Sequence, residues 1–127
     1  MNPPRSIPFL FYFAAAYDGV LGLIFLAAPD WAFRVGNVTP PLHMGYVHFP
    51  AALLIVFALM FAAIARDPAS NRNLILYGIL LKVAYCGVAG LHWISTDIPF
   101  MWKPFVAADL VMLALFLWAQ RLIVKVP

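Results

Sequence analysis

Four long apolar segments constrain this chain more than any other feature of its sequence. They cover residues 8–28, 44–65, 73–94 and 101–120. Each is close to the roughly 20 residues that a helix needs to cross about 30 Å of hydrocarbon. Prolines cluster at the segment ends, where a helix loses no internal hydrogen-bond donor. We therefore predict an all-α fold: one domain, residues 1–127, forming an antiparallel bundle of four transmembrane helices.

Composition supports the same class. Of the 127 residues, 65% are hydrophobic and only 10% are charged, whereas a soluble domain has about a quarter charged residues. A chain this short cannot hide so much apolar surface in one aqueous core. The lipid bilayer is therefore its expected environment.

The basic residues indicate an orientation. The net charge of +3 comes from scattered residues at segment ends, which argues against nucleic acid as a partner. Two cations lie on one side of the membrane, Arg34 and Lys103, and Lys82 lies inside it. The larger group on the other side is Arg5, Arg66, Arg72, Arg121 and Lys125. Because positive charge favours the cytoplasm, both termini are predicted there, with the chain in a bacterial inner membrane.

Pro50 interrupts the second segment and leaves two interpretations open. Starting that helix after Pro50 would make it too short to span, so the helix should begin near Met44. The backbone then either bends or opens between Tyr46 and Pro50, or it accepts Pro50 in an ordinary first turn.

Three charged side chains fall inside the spans at one depth. Asp18 is ten residues past position 8, Lys82 nine past position 73, and Asp109 eight past position 101 on the way back. With a rise of about 1.5 Å per residue, all three lie near mid-bilayer. An isolated charge there is disfavoured by several kcal/mol, so Lys82 is expected to pair with Asp18, Asp109 or both.

Residue spacing places these charges on packed helix faces. Gly78, Lys82, Tyr85, Ala89 and His92 follow one stripe along the third helix. On the first helix Ala14, Asp18 and Gly22 form a stripe of small residues, the type that allows close helix approach in lipid.

These charges have two interpretations. They can fix helix register as a buried ion pair, or they can form a polar site for a ligand or proton. In the second case the ligand-binding residues are Asp18, Lys82 and Asp109, with Tyr17 and Tyr85 beside them. Lys82 would donate to a ligand carbonyl while the aspartates keep it charged.

The histidines form a weaker candidate site. His43, His48 and His92 all map to the outer end of the spans, where a metal or a haem held by His48 and His92 can be drawn. No HxxxH or ExxH spacing supports such a site.

Motifs for catalysis are missing. Cys86 is the only cysteine, so neither a disulfide nor a CxxC pair is possible within this chain. The sequence has no GxSxG motif, no glycine-rich phosphate loop and no glutamate. Enzyme activity is left undecided, and a non-catalytic role is favoured.

The chain resembles the DoxX-like group of small four-helix membrane proteins. The resemblance is carried by "YDGVLGLIFL" early in the chain, by the "ARDPASNR" turn between the second and third helices, and by "VAADLVMLALFLWA" in the last helix. It implies the four-helix architecture and a role beside quinone-linked or sulfur redox partners. It implies no residue roles.

Three functional hypotheses follow. The leading one is an accessory or ligand-binding subunit that holds a quinone, a lipid or another lipophilic molecule at the buried charges, or that docks a membrane redox partner. The second is a transporter or proton pathway, which would form a homo-oligomer because four helices are few for alternating access. The third is a haem- or metal-binding subunit that uses the histidines.

Overall fold

The computed structural model describes residues 4–123; Lys125, which was counted for the orientation, lies outside this range. The described chain is entirely helical, without strands. Its helices are α1 (Ser6–Ala27), α2 (Pro29–Val35), α3 (Gly45–Arg66), α4 (Arg72–Ser95) and α5 (Lys103–Leu122), with a 3₁₀ turn at Phe100–Trp102 before α5.

Four helices are long and apolar enough to cross a membrane: α1, α3, α4, and α5 together with its 3₁₀ turn. Only 17–28% of the most apolar stretch of each helix is buried within the protein. Large side chains such as Phe9, Leu59 and Leu91 are more than 60% exposed. Surface of this kind is compatible with lipid and costly in water. The chain is thus a small membrane protein.

Proline and glycine account for several helix boundaries. Pro29 is the first residue of α2 and Pro104 lies in the first turn of α5, positions where no helical donor is lost. The short helix α2 was not foreseen, because it lies between the first two predicted spans and is too short to be one. Helix α3 continues unbroken through Pro50, its sixth residue. Pro50 therefore neither interrupts the helix nor belongs to its first turn.

Helix α1 packs mainly on α3, and α4 packs mainly on α5. The face of α1 that contacts its neighbours is the expected one, since Ala14, Asp18 and Gly22 are all buried. A Cβ atom on Gly22 would lie 2.7 Å from the carbonyl oxygen of Ala51. Glycine at this position is what lets the α1 and α3 backbones approach so closely.

The two halves of the bundle differ in packing. In the core half, where α1 and α4 begin and α3 and α5 end, apolar side chains are fully buried, including Ile7, Phe61, Ile75 and Phe116. The guanidinium of Arg72 ties this end together by donating to the carbonyl oxygens of Gln120 and Ile123, both at 2.9 Å. The opposite half contains a cavity, and we call it the cavity half.

The link between α4 and α5 lies at the end of the cavity half. Asp97 has a backbone φ of 66°, a left-handed conformation that aspartate tolerates. Its Oδ1 accepts from the backbone N–H of Ile98 at 2.8 Å and lies 3.1 Å from Nζ of Lys103. These two contacts lower the pKa of the Asp97 carboxyl below its ordinary value.

Candidate functional site

The three charges inside the spans meet in one cluster, as the equal depths predicted. Nζ of Lys82 lies 3.2 and 3.3 Å from the two carboxylate oxygens of Asp18, and 3.2 Å from Oδ1 of Asp109. Lys82 and Asp18 are each 1% exposed, and Asp109 is 7% exposed. Both proposed pairings of Lys82 therefore exist at once. We call Asp18, Lys82 and Asp109 the ion cluster.

Three different helices supply the ion cluster: α1 carries Asp18, α4 carries Lys82 and α5 carries Asp109. The cluster therefore links the α1–α3 pair of helices to the α4–α5 pair. The fourth helix, α3, contributes the ring of Phe61, whose centroid is 5.8 Å from Nζ of Lys82. The ring of Tyr17 lies on another side of the ammonium at 5.6 Å. Both rings can stabilise the cation by cation–π attraction.

A cavity of about 660 Å³ opens directly onto the ion cluster. All three charged side chains line it, together with apolar and aromatic side chains from α1, α3, α4 and α5. Its volume lies within the range of roughly 300–1,000 Å³ that is usual for small-molecule sites. The ion cluster thus separates a tightly packed core on one side from accessible space on the other.

Aromatic rings form one wall of this cavity. Tyr17 contacts Phe105, with ring centroids 6.3 Å apart, and Phe105 contacts Trp102 at the same separation. The series continues from Trp102 to Phe25 at 5.8 Å and from Phe25 to Phe33, on α2, at 5.8 Å. Aromatic contacts therefore run from the ion cluster to the far end of the cavity half.

The cavity is partly open, and its exposed lining residues indicate where. Thr39 and Pro41 lie in the connection between α2 and α3, while Tyr46, Pro50 and Leu53 lie in the first half of α3. Most of α3 in this region faces away from the protein. The opening is therefore bordered by the α2–α3 connection and the first half of α3.

Two polar atoms at the base of the cavity have no protein partner within residues 4–123. The hydroxyl of Tyr17 is buried and makes no hydrogen bond. Oδ2 of Asp109 accepts none either, since Lys82 bonds to Oδ1 only. Tyr85 differs, because its hydroxyl donates to the carbonyl oxygen of Trp102 at 3.2 Å. Of the two tyrosines proposed for the site, both line the cavity, and only Tyr17 has its hydroxyl free.

Leaving a buried hydroxyl unpaired costs about 1–3 kcal/mol. A folded protein rarely keeps such a group without a reason, such as a bound molecule or water. Because Tyr17 also lines the cavity, a small movement of its side chain would let this hydroxyl bind a polar group of a ligand there.

None of the three histidines, His43, His48 and His92, lines the cavity. Nδ1 of His43 accepts the backbone N–H of Gly45 at 2.9 Å, a local contact in the turn before α3. His92 is exposed, so the stripe of α4 that is buried at Gly78 and Lys82 reaches the surface before its end. Across residues 4–123, no three histidine, cysteine or acidic side chains lie close enough together to hold a metal ion.

Sequence reasoning missed the aromatic wall of the cavity and the helix α2 that contributes Phe33 to it. Nothing in the sequence assigned Trp102 to the protein interior, yet its ring stacks on Phe25. Phe33 was not singled out because the helix that carries it was not predicted. The only available signal was the high aromatic content of 16%, which does not say which rings point inward.

No protein-family model matches this chain, and neither a curated protein nor a solved structure matches it.

Proposed function

We propose that this protein is a non-catalytic membrane protein that binds a lipophilic molecule in the cavity beside the ion cluster. The main support for this proposal is the aromatic-lined cavity of about 660 Å³, beside which the hydroxyl of Tyr17 has no hydrogen-bond partner. The apolar walls suit a hydrocarbon or aromatic body, and the base offers polar atoms to a single polar group. A quinone, a lipid or another lipophilic molecule with one polar group fits this shape.

The membrane arrangement belongs to the same proposal. We propose an antiparallel bundle of four spans with both termini in the cytoplasm of a bacterial cell, as the positive-inside rule favours. Contacts between the start of α4 and the end of α5, such as those of Arg72, support opposite directions for these two helices. The DoxX-like resemblance supports an accessory role beside a membrane redox partner.

A binding protein that takes its ligand from the bilayer needs a lateral entrance. The exposed lining residues of α3 supply one, because a lipid-soluble molecule can move from the acyl-chain region into the cavity without crossing water. Pro50 lines this entrance. Since proline has no N–H, it cannot donate to the carbonyl of Tyr46, and a local polar acceptor is left near the opening.

Retention of a co-purified ligand tests this proposal. The protein is transferred from native membrane into nanodiscs and studied by native mass spectrometry and by ultraviolet–visible absorption. The variant Val47→Trp places a large ring in the cavity and is expected to reduce the bound fraction at least tenfold. Val56→Trp is the matched control, because Val56 is on the same helix but 59% exposed and outside the cavity.

Equal retention in wild type and Val47→Trp would contradict binding in this cavity. A wild-type preparation that holds no molecule beyond bulk lipid, and that takes up none when quinones or lipids are added, would contradict the proposed function as a whole.

A further inference from the structure

The ion cluster contains two carboxylates and only one ammonium group. With all three groups ionised, the cluster carries a formal charge of −1 in a site almost without water. Lys82 is the only cationic side chain that lines the cavity within the described chain. An uncompensated charge in apolar surroundings is costly, so the cluster favours any species that adds one positive charge.

The remaining titratable groups around the cluster do not supply that charge. From α1 comes Tyr17, from α4 come Tyr85 and Cys86, and from α3 comes Tyr46 near the entrance. All are neutral acids, and none is a cation. In the empty protein, the formal charge of −1 is neutralised most simply by one proton that the cluster shares.

The accessible part of the cluster is a carboxylate oxygen. The ammonium of Lys82 is already bonded to three carboxylate oxygens and has almost no exposed surface. The side chain of Asp109 is 10% exposed, and its Oδ2 has no protein donor. A ligand that enters the cavity thus meets a carboxyl oxygen at its base and not the Lys82 donor, and this oxygen is an acceptor whenever the shared proton is displaced.

The aromatic wall favours the same sign of charge. The rings of Tyr17, Phe105 and Trp102 are arranged in sequence along the cavity. The faces of aromatic rings attract cations, most strongly where water is excluded. A quinone presents only acceptor oxygens, which Oδ2 of Asp109 would repel once the cluster has lost its shared proton, whereas an ammonium ion can take the place of that proton.

We propose that the ligand of this cavity is a lipophilic ammonium ion, an apolar or aromatic body with one protonated amine. Its N–H donates to Oδ2 of Asp109, and its charge replaces the shared proton. Binding exchanges one ammonium ion for one proton, so the charge in the site is unchanged: the ligand enters as R–NH₃⁺ and one H⁺ leaves. This inference rests on the proposed ligand-binding function and specifies its ligand class.

Two probes that share the same aromatic group and differ only in their polar group distinguish an ammonium ligand from a neutral one. 1-Naphthylmethylamine is charged near neutral pH, and 1-naphthylmethanol is its uncharged counterpart. Binding of each to protein in nanodiscs is measured by titration calorimetry, with empty nanodiscs as the partition control. The amine is expected to bind at least tenfold more tightly than the alcohol.

Proton exchange gives a second readout. Titrations in two buffers of different ionisation enthalpy should show about one proton released per amine bound. While the empty site holds that proton, the apparent affinity for the amine should rise up to tenfold per pH unit, because a lower proton concentration favours the exchange. The affinity for the alcohol should not change with pH.

Asp109→Asn is the decisive variant, because it leaves the Lys82–Asp18 pair intact and makes the cluster neutral. It is expected to lose both the preference for the amine and the proton release. Asp97→Asn removes an exposed carboxylate outside the cavity and should bind both probes like wild type.

Equal binding of the two probes, or tighter binding of the alcohol without proton release, would overturn the ammonium ligand and leave the cavity's role as a lipophilic site intact. Binding of neither probe would overturn it as well. The comparison of Val47→Trp with Val56→Trp then decides separately whether the cavity holds any ligand.

Discussion

Lys82 is the residue on which the charge balance of the bundle depends. Its ammonium is within 3.3 Å of three carboxylate oxygens from two other helices. Removing one partner of a buried ionic group is far more damaging than replacing the whole group, because the remaining charges stay buried without compensation. The position therefore tolerates changes only when the aspartates change with it.

Lys82→Met is accordingly expected to destabilise the protein by about 3–5 kcal/mol. The substitution leaves two carboxylates close together with no cation between them. Unfolding in detergent micelles, followed by circular dichroism during titration with a denaturing detergent, measures the loss.

The matched control is the triple variant Asp18→Asn, Lys82→Met, Asp109→Asn, which removes every charge of the cluster at once. It should recover most of the stability that Lys82→Met loses, since buried ion clusters can often be replaced by neutral side chains at little cost. A triple variant as unstable as the single variant would show that size and packing, and not charge balance, are what Lys82 contributes.

At the scale of the helices, the close contact of α1 with α3 depends on Gly22. A Cβ atom there would lie 2.7 Å from the carbonyl oxygen of Ala51 and 2.9 Å from Cγ1 of Ile55, so a backbone would have to move. Helix α1 carries Asp18, one turn away, and any shift of α1 also displaces this carboxylate from Lys82.

Gly22→Ala is therefore expected to destabilise the protein by about 1–3 kcal/mol, the usual cost of overpacking a close contact. Gly87→Ala is the control, because a Cβ atom at Gly87 meets nothing within 4 Å. Thermal unfolding of both variants in one detergent compares them directly. If the Gly22→Ala protein were as stable as the Gly87→Ala protein, α1 and α3 could move slightly apart without loss of stability.

At the scale of the whole molecule, the positions that flank α3 report the membrane arrangement. Thr39 precedes this helix and Ser70 follows it, and both are exposed. If α3 crosses the bilayer, these two residues lie on opposite sides. The proposed orientation, which follows the positive-inside rule, predicts that Ser70 lies in the cytoplasm.

Single-cysteine variants in a Cys86→Ser background test this arrangement. A membrane-impermeant maleimide should label Thr39→Cys in intact bacterial cells and should label Ser70→Cys only after the cells are opened. The reverse pattern would invert the orientation, and labelling of both in intact cells would contradict a membrane-spanning α3.

The sequence alone determined the number of long helices, their limits to within a few residues, and the meeting of Asp18, Lys82 and Asp109. These features depend on local quantities: segment length, the fixed rise of a helix, and the high cost of an isolated charge in lipid. When a lysine and two aspartates lie at the same depth in a small bundle, mutual contact is one of the few arrangements that leave no isolated charge in lipid.

The tertiary structure decided the rest. Which helices pair, where the cavity lies and which rings turn inward depend on side-chain contacts between segments distant in sequence. In lipid, the free energy of an apolar side chain differs little between the protein interior and the bilayer. Hydrophobicity therefore does not distinguish Phe25, which points inward, from Phe9, which points outward. The cavity, the free hydroxyl of Tyr17 and the unpaired oxygen of Asp109 follow from that packing, and only the folded chain reveals them.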